Sequence, residues 1–277
     1  MKIREKKIDC NHYREVDIIP RTDAADKAVK GKRSKKKKVS SPKQNDLNDK
    51  NARRYLVELG NGNFGKKDYH VTCTYDEENY PKDIKMAENT ITNYLKRISY
   101  RRKKLGIGPL KYILVTEYAY DAAGEVITRI HHHVIMNGGM DRNEIEDMWT
   151  DSRINWKKYK ENPEYALSIK RKGYVNADRL QLNKNGIEAL CKYVTKHPNG
   201  KKRWSSSRNL TRPTSRSNDH KYSKKKVEYF AKLPDQGREY FERIYKGYRI
   251  TEINPVYYDE TGWHIYLKMW KEEYEGG

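Results

Sequence analysis

Apolar and polar positions begin to follow a regular pattern at about residue 51. The sequence ARRYLVEL predicts a short helix, GNGNFGKKD a loop, and YHVTCTY a half-buried strand, because apolar residues occupy every second position there. Between Asp83 and Lys104, apolar residues recur near helical spacing and cations close the segment, where they suit the helix dipole. This segment predicts a basic amphipathic helix.

Strands and helices alternate further along the chain. The sequences KYILVTEY and VITRIHHHVIM, joined by YDAAGE, predict a hairpin, and a helix capped by Asp141 follows as far as about Trp149. YVNADRLQL predicts another strand, and NGIEALCKYVTKHP a helix that Pro198 stops. Beyond the basic loop KRWSSSRNLTRPTSR, we expect a helical stretch around Val227 to Arg243 and a last hairpin, YRITEINPVYYDETGWHIYLKMW. We therefore expect an α+β fold with a central antiparallel sheet flanked by helices.

The first fifty residues lack this periodicity. They contain GKRSKKKK, with Lys35 to Lys38 in a row, followed by Ser, Pro, Asn and Asp. We interpret residues 1–50 as a disordered basic arm. Such an arm could hold DNA through counterion release, or it could be a solvated tail with no specific role.

The charge of the chain favours nucleic acid as its partner. Its 59 Lys and Arg against 38 Asp and Glu leave a net charge of +21, which attracts a polyanion, although a basic ribosomal component would look similar. The 23 Tyr and 5 Trp suit half-wet grooves in which bases stack. Three scattered Cys indicate a reducing cytoplasm, and no apolar stretch is long enough to span a membrane.

Three consecutive histidines are the first candidates for chemistry. On a strand, alternation puts His131 and His133 on one face and His132 on the other. Two imidazoles at positions i and i+2 can ligate one divalent ion. The alternative is a surface or packing histidine run.

A carboxylate is expected to join these imidazoles. If Ala122 and Ala123 form a type I turn with Gly124 at the bulge position, Glu117 pairs with Arg129 and lies diagonal to His131, on its face. Two nitrogen ligands and one oxygen ligand, with further coordination positions open, suit Mg²⁺ or Mn²⁺ that binds a phosphate. Alternatively, Glu117 simply pairs with Arg129.

Tyr193 is the candidate nucleophile. It lies on the helix NGIEALCKYVTKHP, with Lys192 beside it and Lys196 three residues on. A phenol is a poor nucleophile at neutral pH, so nearby lysines and a metal that polarises the phosphodiester would favour its attack. A packing role is the alternative for a tyrosine at such a position.

Two further sequence patterns resemble known binding motifs. GNGNFGKK nearly matches a P-loop, but Lys67 stands where Ser or Thr should hold Mg²⁺, and the flanking helix and strand come in the wrong order. His70 and Cys73 could contribute to a zinc site, but strand alternation separates them. We expect neither an ATPase nor a zinc site.

Several segments together resemble the HUH endonucleases, and most closely the replication-associated proteins of Gram-positive phages, plasmids and integrated elements. The segments are HHHVIMNGG followed by DR, then GYVNADRLQ, KYVTK and KRWSSSRNL, within about Tyr69 to Leu210. The resemblance implies a sheet of about five strands in a split βαβ plan. It also implies metal ligation by His131 and His133, with an acidic or polar residue completing the site, and a single nucleophilic tyrosine, Tyr193, followed by Lys196.

The implied activity is nicking of single-stranded or hairpin origin DNA, which leaves a 5′-phosphotyrosyl link and a 3′-hydroxyl for rolling-circle replication. Residues 51–212 would form the nickase domain and residues 213–277 a helical and hairpin extension. The expected DNA contacts are Lys192, Arg203, Trp204 and Arg208. Host helicase and polymerase would be separate partners. A relaxase or a single-tyrosine transposase would use the same site, whereas a non-catalytic nucleic-acid-binding protein would not cleave.

Overall fold

A computed structural model of the protein describes residues 1–22, 42–118, 128–195 and 204–274. Its elements in chain order are β1 Lys2–Cys10, β2 Tyr13–Arg21, α1 Pro42–Asn61, β3 Tyr69–Cys73, α2 Ile84–Lys104, β4 Tyr112–Glu117, β5 His131–Met136, α3 Arg142–Asp147, α4 Trp156–Glu161, α5 Pro163–Leu167, β6 Val175–Arg179, α6 Glu188–Val194, β7 Ser205–Ser206, β8 Thr214–Asn218, α7 Lys224–Lys232, α8 Pro234–Ile244, β9 Tyr248–Tyr258 and β10 Gly262–Lys271. The strands form two five-stranded antiparallel sheets. The α+β class is confirmed. Within the described ranges, every helix is too short or too polar to cross a membrane.

The chain divides into two compact units. The first unit comprises residues 1–63, 182–188 and 211–277, and the second comprises residues 64–181 and 189–210. The segment expected to be an extension, 213–277, therefore shares a unit with the start of the chain. The second unit falls within the range 51–212 expected for the nickase domain.

The sheet of the first unit has the strand order β8-β1-β2-β10-β9. β1 and β2 form a hairpin in register from Lys2 opposite Arg21 to Cys10 opposite Tyr13. α7 and α8 cover the sheet, with Phe230 and Phe241 in the same apolar core as residues of β2 and β10. The last hairpin expected from the sequence is confirmed as β9 and β10.

The expectation of a disordered arm is wrong for residues 2–21, which form β1 and β2, and for residues 42–50, which begin α1. Charged side chains obscured the strand pattern. Glu5 is buried in the sheet, where Lys221 and Tyr245 donate hydrogen bonds to it, so its charge does not require exposure to water. The lysine run Lys35 to Lys38 lies outside the described residues.

A buried acidic cluster lies between α1 and β2. The guanidinium of Arg54 contacts Glu15, Asp17 and Glu58 at 2.7, 2.7 and 3.1 Å. Burial, and then the nearby Glu15, raise the pKa of Glu58 to about 7, and Arg54 only partly offsets them. Three carboxyl groups thus share one guanidinium, and Glu58 keeps its proton into the neutral range.

Replacing Glu58 by Gln should stabilise the protein at pH 8 but not at pH 5. The folded-state pKa of Glu58 is raised, so its proton-linked stability is present below about pH 4.5 and is lost as the pH rises through about 7. Glu58→Gln cannot lose that proton, so its stability relative to the wild type should rise by about 1–3 kcal/mol between pH 5 and pH 8. Thermal melts at both pH values measure this. The exposed Glu88→Gln is the control, and a Glu58→Gln difference independent of pH would refute the assignment.

The sheet of the second unit has the strand order β6-β3-β5-β4-β7. β3 and β4 both run antiparallel to β5, which lies between them, so they are parallel to each other and α2 connects them. This is a split βαβ arrangement. The expected antiparallel sheet flanked by helices is confirmed, whereas the sheet of the first unit was not expected.

The two faces of this second sheet have different environments. On β5, Val134 and Met136 join the apolar core that Ile91 and Ile98 of α2 and Ile145 of α3 complete. Alternation puts His131 and His133 on the face away from that core. α2 and α3 therefore cover one face, and the histidine pair lies on the other.

The helix predictions of the second unit hold in part. Asp141 caps α3 through its side chain, as expected, and Asp83 caps α2 in the same way. α4 and α5 were not predicted from the sequence. In the first unit, the helical stretch expected around 227–243 is two helices, because Pro234 starts α8.

Candidate active site

Glu117 ends β4 directly opposite His131 on β5. The turn expected from the sequence sets Glu117 opposite Arg129, so the expected register was wrong by two residues. β5 begins at His131, and the proposed turn lies outside the described residues. A shift of two keeps every side chain on its face, so Glu117 still shares the face of the histidine pair. Arg129 instead donates a 2.8 Å hydrogen bond to the carbonyl of Tyr75, so the simple Glu117–Arg129 pair is also wrong.

Three side chains converge at this position. The Oε2 atom of Glu117 lies 3.2 Å from Nε2 of His131 and 3.3 Å from Nε2 of His133. One ligand atom from each residue lies within 4.8 Å of the other two, which makes a possible metal-binding site. His133 is 3% exposed at its side chain, while His131 and Glu117 are 27% and 23% exposed, so the site is buried at its base and accessible at its rim.

The donor set fits a divalent ion. Two imidazole nitrogens and a carboxylate oxygen suit divalent first-row transition metals such as Mn²⁺. Three protein ligands leave coordination positions for water or substrate. Burial first, and the neighbouring His70 and His131 next, lower the pKa of His133 to about 4. Its ring is therefore neutral at physiological pH, which is the form that can ligate a metal.

The Nδ1 atoms of His131 and His133 both lie within hydrogen-bonding distance of neighbouring groups. Nδ1 of His131 lies 3.0 Å from the carbonyl oxygen of Arg129, to which it can donate. Nδ1 of His133 lies 3.2 Å from Nε2 of His70 on the adjacent strand β3 and 3.5 Å from the hydroxyl of Thr72. These contacts favour the tautomers whose Nε2 lone pairs face Glu117.

His70 was missed as part of this site. In the sequence, His70 is a ligand candidate only together with Cys73, and alternation along β3 indeed puts the two on opposite faces. The contact of His70 with His133 depends on β3 pairing with β5 in a register that sets Thr72 opposite His133. The alternating YHVTCTY pattern predicts which face of the strand His70 lies on, but not which residue on the adjacent strand it contacts.

His70→Ala should lower the affinity for Mn²⁺ by about tenfold without removing a ligand, because outer partners orient metal-bound imidazoles. His70→Gln, which can still accept a hydrogen bond, should recover part of that loss. Isothermal titration with Mn²⁺ measures the affinity, and thermal melts in EDTA report on folding. The exposed His220→Ala is the control. Unchanged Mn²⁺ affinity in His70→Ala would show that His70 does not orient the site.

His132 has a structural environment. It is fully buried, its Nε2 lies 2.8 Å from the hydroxyl of Tyr75, and its Nδ1 lies 2.9 Å from the hydroxyl of Thr116. Burial lowers the pKa of His132 to about 3, so the ring is neutral. His132 thus lies on the face opposite the other two histidines and packs near Trp149.

Tyr193 lies beside the convergent side chains. Its ring meets that of His133 edge to face, with 5.7 Å between the ring centroids. Tyr193 is 58% exposed, whereas Cys191 and Val194 of the same helix, α6, are buried. The amphipathic pattern therefore anchors α6 through its apolar side and leaves the phenol accessible.

The structure separates the remaining candidates. Lys192 is exposed next to Tyr193, and Arg208 is exposed after β7. Trp204 is half-buried and directly precedes Ser205, which pairs with Leu114 of β4, the strand that ends at Glu117. Lys196 and Arg203 lie outside the described residues.

Comparison with known proteins gives one match. Residues 68–198 match the model of a protein family described as replication-associated protein ORF2. That range contains Glu117, the three histidines and Tyr193. No curated protein and no solved structure matches the chain. Across residues 68–198 the chain is similar to replication-associated proteins, and this similarity supports a replication initiator.

Proposed function

We propose that the protein is a metal-dependent nickase and strand transferase that initiates rolling-circle replication. One observation carries the proposal: the ligand atoms of Glu117, His131 and His133 lie within 4.8 Å of one another, and the ring of Tyr193 contacts His133. A metal site beside an accessible phenol is the arrangement that phosphodiester transfer to tyrosine requires.

Tyr193 supplies the nucleophile. Its phenol oxygen bonds to the scissile phosphorus, the bond from phosphorus to the 3′ oxygen breaks, and the phenol proton is delivered to that oxygen through solvent. The products are a 5′-phosphotyrosyl link and a free 3′-hydroxyl. Attack of a 3′-hydroxyl on the phosphotyrosine reverses the step, joins the strands and restores Tyr193.

The other site residues bind and orient. Glu117, His131 and His133 would hold the divalent ion, Mn²⁺ or Mg²⁺, which when bound polarises the phosphate and stabilises its developing charge. His70 and the carbonyl of Arg129 keep the imidazoles oriented.

Substrate recognition is proposed to involve residues around α6 and β7. Lys192, Trp204 and Arg208 would contact DNA through phosphate attraction and base stacking. Lys196, which would neutralise the phosphate, and Arg203 belong to the same proposal. The net charge of +21 would draw the DNA to the protein.

The wider setting belongs to the same proposal. The substrate would be single-stranded or hairpin origin DNA, and a host helicase and polymerase would unwind and extend it in the cytoplasm. We place the protein in the HUH endonuclease superfamily, with the replication-associated proteins of Gram-positive phages, plasmids and integrated elements, and residues 51–212 as its nickase domain. A relaxase or a transposase would share the chemistry and differ in the DNA hairpin it recognises.

End-labelled DNA tests the proposal. The protein is incubated with Mn²⁺ and a pool of single-stranded oligonucleotides labelled at either the 3′ or the 5′ end, and is then denatured. A 3′ label should move onto the protein, whereas a 5′ label should appear in a shorter free fragment, and EDTA should prevent both. Salt-sensitive binding without any adduct would instead favour a non-catalytic DNA-binding protein.

A further inference from the structure

The second unit also contains a groove that lies away from the proposed nickase site. An open groove of about 820 Å³ runs along the C-terminal half of α2 and the segment that joins α3 to α4. The residues Ile91, Leu95 and Ile98 of α2 pack toward the core on one face of the sheet. Since His131 and His133 lie on the other face, the groove is separate from the candidate metal site.

The groove is strongly basic. The groove is lined by five cations, Lys96, Arg97, Arg101, Lys104 and Arg153. None of the lining residues in the described part of the chain is acidic. Arg101 is paired with Glu144 at 2.5 Å, so its charge is partly neutralised. Lys96, Lys104 and Arg153 are exposed. These three positive charges can meet an anion from solvent.

One cation in the groove carries an unused donor. Arg97 donates through Nε to the carbonyl of Met148 at 3.2 Å, while its buried Nη2 has no hydrogen-bond partner among the described residues. Asp151 acts electrostatically on Arg97, and it forms an ion pair with Lys172. This donor is shielded from solvent, so Arg97 contributes its positive charge to the groove.

Aromatic side chains are interleaved with these cations. Tyr100 is 61% exposed although it lies on a packed helix, and the ammonium of Lys104 lies 5.5 Å from the centre of its ring. Trp156 is half-buried, with the guanidinium of Arg101 at 3.8 Å from its ring centre. Exposed rings beside cations are the surface that single strands use, since bases stack on the rings and phosphates pair with the cations.

We propose that this groove binds a segment of single-stranded nucleic acid, with a base stacked on Tyr100 and phosphates held by Lys96 and Lys104. Identifying that strand as DNA rests on the proposed function, whereas the binding itself does not. The groove would hold the strand without the metal and without cleavage.

Binding is measured in the 277-residue Tyr193→Phe protein with EDTA, so the result does not depend on nicking. The probes are fluorescent dT and rU oligomers of about 20 nucleotides, followed by anisotropy over a series of salt concentrations. Two double variants of α2 remove the same charge: Lys96→Ala with Lys104→Ala in the groove, and Lys85→Ala with Lys103→Ala outside it. Thermal melts verify that each variant folds.

The groove double variant should bind dT about tenfold more weakly, and its log–log salt slope should be shallower by about 1.4, because two phosphate contacts are lost. The control double variant should stay within about twofold of the parent. Tyr100→Ala should weaken binding about fivefold or more, and Tyr100→Phe should not, because stacking needs only the ring. A parallel loss on rU supports a site for either strand, and a loss on dT alone supports a site for DNA. Unchanged dT affinity in the groove variants, or an equal loss in both double variants, would overturn the proposal.

Discussion

Tyr193→Phe is expected to reduce the covalent protein–DNA adduct to below about one thousandth of the wild-type level, because it deletes the nucleophilic oxygen and nothing else. Phe keeps the ring that packs edge to face on His133 at 5.7 Å. The affinity for Mn²⁺ and the melting temperature should therefore stay at their wild-type values. Denaturing gels with the 3′-labelled oligonucleotides measure the adduct.

A matched tyrosine provides the control for this variant. Tyr174 belongs to the same unit and is also exposed, so Tyr174→Phe removes an equivalent hydroxyl away from the convergent side chains. Tyr174→Phe should form the adduct at the wild-type rate. Adduct persisting in Tyr193→Phe would move the nucleophile to another residue.

Adjacent histidines should give opposite phenotypes. His131→Ala removes a partly exposed ligand, so the affinity for Mn²⁺ should fall at least about a hundredfold, while stability in EDTA stays within about 0.5 kcal/mol. His132→Ala should destabilise the protein by about 2–4 kcal/mol, because it leaves a cavity and deprives Tyr75 and Thr116 of a buried partner. Titration with Mn²⁺ and thermal melts in EDTA measure the two effects on each variant.

These two variants compare neighbours on one strand, so a general disturbance of β5 cannot explain opposite results. Glu117→Gln should resemble His131→Ala, because an amide is a much weaker metal ligand than a carboxylate. If His132→Ala lost Mn²⁺ binding while remaining stable, the assignment of the faces of β5 would be incorrect.

The faces of the candidate site could be predicted from the sequence because side chains alternate along a strand whatever its partner. That rule placed Glu117, His131 and His133 together even though the expected register was wrong by two residues. An error of one residue would have put Glu117 on the buried face. The helix cap at Asp141 was also predictable, since capping depends on local sequence.

Features that depend on distant contacts could not be predicted. β1 and β2 carry many charges, and their strand character depends on partners such as Lys221 for Glu5 and Arg54 for Asp17, which are remote in sequence. The contact of His70 with His133 depends likewise on the pairing of β3 with β5. Local pattern gives the face of a residue, but tertiary pairing decides its neighbour.

Peptide mapping of the adduct is the most direct test of the central claim, that a phenol beside the Glu117, His131 and His133 site attacks DNA. The protein is reacted with single-stranded DNA and Mn²⁺, digested with nuclease and protease, and analysed by mass spectrometry. The account predicts a nucleotide joined through its 5′ phosphate to the peptide that contains Tyr193, and no such peptide when EDTA is present. A nucleotide on a different tyrosine, or an adduct that forms equally in EDTA, would contradict it.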